Sequence, residues 1–286
     1  MRTLTLILTT FLFIGTSSAQ EFSFGFKAGL NFSKIDGELE TNSSDSNLEE
    51  ANLSKGFHFG PIFNLKLTDA FTVRGELLYS QKGTDYNYNG QSFWLFYPQN
   101  GDPILHNGGN RNMRLFVSNS YLDIPILAVL RLGRIELSGG VNAALLISSK
   151  ATGELTYAAA NIDPFTTSLE YNFRKDVPTT DAGTDPFLRA VNNTDVTVPK
   201  ETGAYYGSFG RSDKLYNSFD LGLNAGIAFY LSEGLFVSFR MNYGLLDITK
   251  EEQDFSASRL SDDNTFIMRN DIDKNVSLQA SVGFSF

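Results

Sequence analysis

Hydrophobic and polar residues alternate strictly at the end of the chain. Val276, Leu278, Ala280, Val282, Phe284 and Phe286 are apolar; Asn275, Ser277, Gln279, Ser281, Gly283 and Ser285 are polar or small. A period of two predicts a strand with one wet face and one apolar face. A run of this length is long for a soluble strand and matches a tilted bilayer crossing. Seven further segments read the same way: residues 22–33, 55–67, 71–82, 121–132, 135–148, 218–230 and 235–246. In the first, Phe22, Phe24, Phe26, Ala28, Leu30 and Phe32 share one face.

The connections alternate too. Those at 68–70, 133–134 and 231–234 are tight, and those at 35–54, 83–120, 149–217 and 247–274 are long. The pattern predicts an all-β fold: an eight-stranded antiparallel transmembrane β-barrel with short periplasmic turns and long extracellular loops. An even strand number places both termini in the periplasm, and closure leaves no strand edge facing lipid. Aromatics sort by height in this threading. Phe22, Phe24, Phe71, Phe229, Phe284 and Phe286 fall at the periplasmic end, and Phe57, Tyr79, Phe219 and Tyr243 at the loop end. Two interfacial girdles result.

The N-terminus adds a compartment. Met1 and Arg2 precede a mostly apolar stretch, and Ser17, Ser18 and Ala19 supply small residues. This predicts a secretory signal peptide over 1–19 and a barrel domain over 20–286. With no cysteine in the chain, lipoprotein anchoring, disulfides and thiolate metal sites are excluded. A mean hydropathy of -0.15 would suggest a soluble protein, but barrels escape hydropathy because only alternate residues meet lipid. Phe 25 and Tyr 12 against Trp 1 supply an aromatic-rich lipid face. A formal net charge of -9 argues against nucleic acid as a partner. The expected partners are outer-membrane lipid and lipopolysaccharide, the barrel-assembly machinery during insertion, and an unassigned surface or secretion partner. No cofactor is expected.

Three motifs carry a family resemblance. They are Glu76-Leu77-Leu78-Tyr79-Ser80-Gln81-Lys82-Gly83, Tyr121-Leu122-Asp123-Ile124-Pro125, and Gly25-Phe26-Lys27-Ala28-Gly29-Leu30-Asn31-Phe32. Together they resemble the PorT-like outer-membrane β-barrel family. Phe286 at the end of the last strand resembles the insertion signal of Gram-negative outer-membrane barrels. The resemblance implies the barrel fold and an integral outer-membrane location, and is silent about activity. The long third connection departs from the family, so a role in protein secretion is not carried over.

The inward positions are charged and mixed in sign. They include Lys27, Lys66, Arg74, Glu76, Lys82, Asp123, Arg131, Glu136, Asp220 and Arg240, with His58 and Gln279. Of these, Lys27, Arg74, Glu76, Arg131, Glu136 and Arg240 form the candidate lumen charge network. Eight strands enclose an interior that side chains can fill, and buried charges persist only when paired. A salt-bridged plug is therefore expected over a gated ion path. If Gly133-Arg134 is a two-residue turn, Arg131 faces Glu136 and the two are expected to pair.

The connections carry the remaining candidates. Asp36, Glu38, Glu40, Asp45, Glu49 and Glu50 crowd the first without an intervening Lys or Arg. They read as a solvated acidic loop, or as a divalent-cation bridge to lipopolysaccharide or a Ca²⁺ site; no EF-hand spacing is present. The same two readings apply to Asp262, Asp263, Asp271 and Asp273. The second connection holds Phe93, Trp94, Phe96 and Tyr97. They form either an exposed contact patch, or a strand extension above the membrane or a small loop core packed on Phe116. Residues 162–173 of the third read as an extra strand. Catalysis needs a nucleophile beside a base. The chain has two histidines, His58 and His106, and no Gly-x-Ser-x-Gly elbow. The expected function is that of a non-enzymatic barrel acting through its loops in surface interaction or envelope support. The alternatives are a narrow pore or small-solute transporter, or an accessory part of a secretion machine.

Overall fold

The computed structural model describes residues 21–98, 101–180, 186–191, 193–207 and 214–286. The expected signal peptide, 1–19, lies outside them. The strands are β1 (Glu21–Asp36), β2 (Glu49–Lys66), β3 (Phe71–Glu76), β4 (Leu78–Pro98), β5 (Ile104–Leu132), β6 (Ile135–Ala159), β7 (Ile162–Asn172), β8 (Phe187–Val191), β9 (Thr194–Val198), β10 (Glu201–Thr202), β11 (Phe219–Tyr230), β12 (Leu235–Gly244), β13 (Phe255–Leu260), β14 (Phe266–Met268) and β15 (Lys274–Ser285).

Seven of the eight alternating segments each fall on one strand and the segment 71–82 falls on two, and the pairings run in a ring. β1 lies antiparallel between β15 and β2. β2 pairs with β3 and then β4, and both pair with β5. β5 pairs with β6, β6 with β11, β11 with β12, and β12 with β15. The ladder thus returns to β1. Arg131 and Glu136 are opposite one another across a two-residue turn in which Gly133 has φ +64°. Positive φ at Gly133 and not at Arg134, with glycine first of the two central residues, suits a type II′ hairpin.

Fifteen strands appear among the described residues where eight were expected, for two physical reasons. The segment 71–82 breaks at Leu77, whose N–H turns to the carbonyl of Pro61 at 3.1 Å. Pro61 has no N–H to return, and proline inside a sheet is tolerated at such interruptions. The long connections also fold. β4 and β5 rise as one hairpin, with partners out to Phe96 and Ile104. β6 turns back at Asn161, with φ +64°, into β7, the extra strand expected at 162–173. β8 and β9 form a hairpin on the end of β4.

Burial reverses along β6. In lower β6, Ile135, Leu137, Val141, Leu145 and Ile147 are exposed while Glu136 and Asn142 are buried. Above Ser148, Lys150, Thr152 and Glu154 are exposed while Ala151, Leu155 and Tyr157 are buried. β5 keeps one burial phase throughout, but its outer face changes chemistry, with Ile124, Ile126 and Leu130 exposed below and Arg114 exposed above, where Leu115 and Val117 are buried. The register between the two strands shifts at Ser120/Tyr121, near the reversal. An apolar outside requires lipid and a polar outside requires water. One tube therefore carries two interiors: a polar lumen within the apolar band and an aromatic core in the cap above it.

Candidate functional site

The lumen is built from inward positions of the lower strands. Glu76, at the end of β3, accepts two hydrogen bonds from Arg240 on β12, at 2.6 and 2.7 Å. Lys27 on β1 reaches the same carboxylate at 2.9 Å. Arg74 grips Glu136 with both terminal nitrogens, at 2.6 and 2.9 Å, and its Nε donates to Asn64. The Tyr230 hydroxyl completes Glu136 at 2.9 Å. Lys82 pairs with Asp123 at 3.0 Å, and Asp220 accepts from Asn275. Four basic residues (Lys27, Arg74, Lys82, Arg240) thus face four acidic ones (Glu76, Asp123, Glu136, Asp220), and all eight are buried. A cavity of about 10 Å³ remains beside Glu76 and Glu136, room for about one water.

Five of the six network residues expected from sequence meet here, and Arg131 does not. The register holds, but the expected Arg131–Glu136 ion pair does not form. Glu136 is taken by Arg74 across the lumen, where bidentate geometry is available. Arg131 instead donates to the carbonyl of Gly133 and lies over the Tyr230 ring, 3.8 Å from its centroid. Lys66 likewise leaves the inward set. It is half-exposed at the turn end, beside Glu21 and Asp69. Both lie at the rim, where alternation no longer separates inside from outside.

His58 bonds Asn31 Oδ1 and Ser281 Oγ, each at 2.7 Å. Gly29 opposite makes room, since a Cβ there would sit 2.8 Å from the ring. The order Ser–His–Asn matches a hydrolytic relay, but all three are buried and none of them lines either cavity among the described residues. The arrangement holds three staves together. His106, in the cap, bonds the Tyr157 hydroxyl at 3.0 Å.

The aromatic cluster of the second connection lies on a strand extension, the upper part of β4, and is not an exposed patch. Trp94 and Phe96 are buried. Trp94 packs edge-on against Phe165 of β7 at 5.2 Å, and Phe96 packs edge-on against Tyr157 and Phe165. Tyr97 meets Tyr206, and Phe93 meets Phe266 of β14. Nor does the cluster pack on Phe116, which is exposed under Arg114. The hydrophobic effect draws these rings into the cap core because the third connection supplies the opposite wall.

Under that core the cap holds a cavity of about 270 Å³. Phe93, Trp94, Met113 and Phe266 give it apolar walls, and Arg111 lines it on one side. Burial pulls the Arg111 guanidinium below its ordinary range. Elsewhere in the lining stand Glu49, Asp254, Asp273 and Arg269. Arg269 reaches Asp271 at 2.8 Å, Glu49 at 3.6 Å and Asp254 at 3.9 Å. Asp254, Asp271 and Asp273 bring a carboxylate oxygen each within 4.8 Å of one another. Burial pushes Asp254 up to about 7; Asp271 and Asp273 add to this against Arg269. Burial also raises Glu49 and Asp273. Arg269 itself stands above its ordinary range, since Asp254, Glu49 and Asp271 outweigh the effect of its burial.

The acidic first connection is partly drawn into this cap. Glu40 is buried and accepts from Ser256 and Ser258 at 2.5 and 2.7 Å. Sequence reading missed the cavity because its residues come from distant parts of the chain. The one local signal was the crowd of rings at 93–97.

An apolar band, a polar plugged lumen and a water-facing cap define an outer-membrane β-barrel protein. The chain belongs to the outer membrane protein beta-barrel domain family, whose model matches residues 18–250. Similar solved structures include Ail, the attachment invasion locus protein of Yersinia pestis, at 11% identity and TM-score 0.36, covering 93% of this chain and 99% of that one. They include neisserial surface protein A, at 10% identity and TM-score 0.33, covering 93% and 99%. They also include OprG of Pseudomonas aeruginosa, at 11% identity and TM-score 0.34, covering 94% and 97%. No curated protein matches the sequence.

Proposed function

We propose that this protein is a sealed outer-membrane barrel that acts, without chemistry of its own, through its extracellular cap in surface interaction. With β3 and β4 taken as one stave, the ring of pairings has eight members, which supports the eight-stranded count. In this reading the tight turns and both termini face the periplasm, residues 1–19 are a cleaved secretory signal, and the protein is PorT-like.

One observation carries the proposal. Eight buried charges of balanced sign fill the lumen, leaving about 10 Å³ beside the central carboxylates. Ions passing there would have to break pairs whose partners would then be buried alone, at several kcal/mol each. Conduction is therefore blocked, and the elaborated cap is the part left to meet other molecules. The test is planar-bilayer recording of the full-length protein refolded in detergent. The proposal expects a silent bilayer. Sustained ohmic single-channel steps would overturn it in favour of a pore.

A further inference from the structure

The cap cavity has a charge arrangement that this chain does not complete. Arg111, on β5, donates a single hydrogen bond, from Nη2 to the carbonyl of Phe93 at 3.1 Å. Its Nε is buried with no partner. It makes no ion pair among the described residues; the Tyr88 ring lies 6.0 Å away, and Glu40 acts on it through space. The buried cations of the lumen differ, since Lys27, Arg74, Lys82 and Arg240 each hold a carboxylate. Trp94, buried in the same lining, also leaves its Nε1 donor unpartnered.

Acidic groups in the same cavity are in surplus. Glu49, Asp254 and Asp273 line it, Asp271 stands against them, and Arg269 is the cation bonded among them. A buried charge without a counter-charge is costly. A simple anion would answer Arg111 and meet the acidic wall; a simple amine would do the reverse. A molecule carrying both charges satisfies both. The apolar part of the lining, with Phe255 stacked on Phe266 at 4.2 Å, suits a ring or apolar side chain. The volume, about 270 Å³, suits one ring with a short polar chain, since an apolar cavity of about 150 Å³ takes benzene.

We propose that the cap cavity is a binding site for a small amphipathic zwitterion of the aromatic α-amino acid type, its carboxylate on Arg111 and its ammonium on the Asp254–Asp273 wall. Trp94 Nε1–H is a second donor for the carboxylate end. This rests on the reading of the cap as the working part of the protein, and it assigns that part a ligand.

The test is calorimetric titration of the full-length protein in detergent micelles with three probes: phenylalanine, 3-phenylpropionate and phenethylamine. Phenylalanine should bind roughly tenfold or more tightly than either singly charged probe, since each charged hydrogen bond is worth about 1.5–3 kcal/mol. Arg111→Met should erase the advantage over phenethylamine, and Asp254→Asn should reduce that over 3-phenylpropionate. Boiled and unboiled gel migration checks that each variant keeps its barrel, and the neutral Arg111→Gln stands in if Arg111→Met does not fold. Absence of phenylalanine binding to the wild type would overturn the proposal. So would equal affinity for all three probes, or unchanged affinity in both folded variants. The outcome is independent of the bilayer recording. A silent bilayer with no binding removes this inference alone, whereas conduction with intact binding removes the sealed-barrel reading alone.

Discussion

Glu76 is the residue on which the sealed lumen depends most. Its carboxylate is held by both terminal nitrogens of Arg240 and by Lys27, all within 3 Å and all buried. Glu76→Leu leaves two cations in the interior with no counter-charge. Breaking one buried pair costs about 3–5 kcal/mol, and two stranded cations place this variant at the upper end, about 5 kcal/mol. That is a large share of a typical folding free energy of about 5–15 kcal/mol. Replacing all three charges, Glu76→Leu with Lys27→Met and Arg240→Met, should restore most of the loss, because apolar residues of similar volume substitute well for a buried ion cluster. The assay is the folded fraction across a urea series in micelles, read from heat-modifiable gel migration. If Glu76→Leu costs less than about 1 kcal/mol, the value typical of hydrated pairs, the lumen is wet and the reasoning fails. A triple variant as unstable as the single one would refute it equally.

Deleting Phe286 should lower outer-membrane levels. Its N–H bonds the carbonyl of Phe24 at 2.9 Å, and its ring lies 5.5 Å from that of Phe24, where β15 closes on β1. Removing 187–198 should loosen the cap and leave those levels normal, as fractionation would show. The β13–β14 part of the cap should lose protection as pH rises. Asp254 titrates near 7 when folded, above its ordinary 3.8, so the folded form binds more protons between those values and the stability this confers is lost as pH rises through about 7. The protection factors of 255–268, taken against the base-catalysed intrinsic exchange rate at each pH, should fall from pH 5 to 8, and Asp254→Asn should flatten that trend. Gly133→Val should cost roughly 1–2 kcal/mol, since Gly133 sits at φ +64°, where a side chain with a Cβ is strained. Equal urea midpoints for this variant and the wild type would contradict the turn assignment.

The barrel wall was readable because lipid outside and charge inside impose a period of two that survives any register. The eight alternating segments all lie on strands, the third split between β3 and β4, and the register of Arg131 against Glu136 followed from a two-residue turn. The ion pairing was less readable. Alternation tells which face Glu136 is on, but its partner, Arg74, is 62 residues away across the lumen, and that choice is made by three-dimensional proximity. The rim residues Lys66 and Arg131 were misplaced because water, not protein, ends the strands there. The cap was hardest to read. Above Ser148 the apolar face turns inward, so the signal that marked lipid below marks a core above. Trp94 and Phe96 looked like a patch because the wall that covers them, β7, comes from another connection.

The central claim is a dry, filled lumen beneath a cap that lies outside the cell, and the absence of cysteine in the chain permits its most direct test. Single cysteines are placed at Ser80 and Ser281 in the lumen, at Ala160 on the β6–β7 turn, and at Glu233 on the β11–β12 turn; the two turn positions are exposed. Each is challenged on intact cells with a membrane-impermeant thiol reagent. The account predicts rapid labelling at 160, labelling at 233 only after the outer membrane is permeabilised, and none at 80 or 281 until the protein is boiled. Labelling at 80 and 281 on intact cells would show water running through the barrel, and labelling at 233 but not 160 would turn the molecule upside down in its membrane.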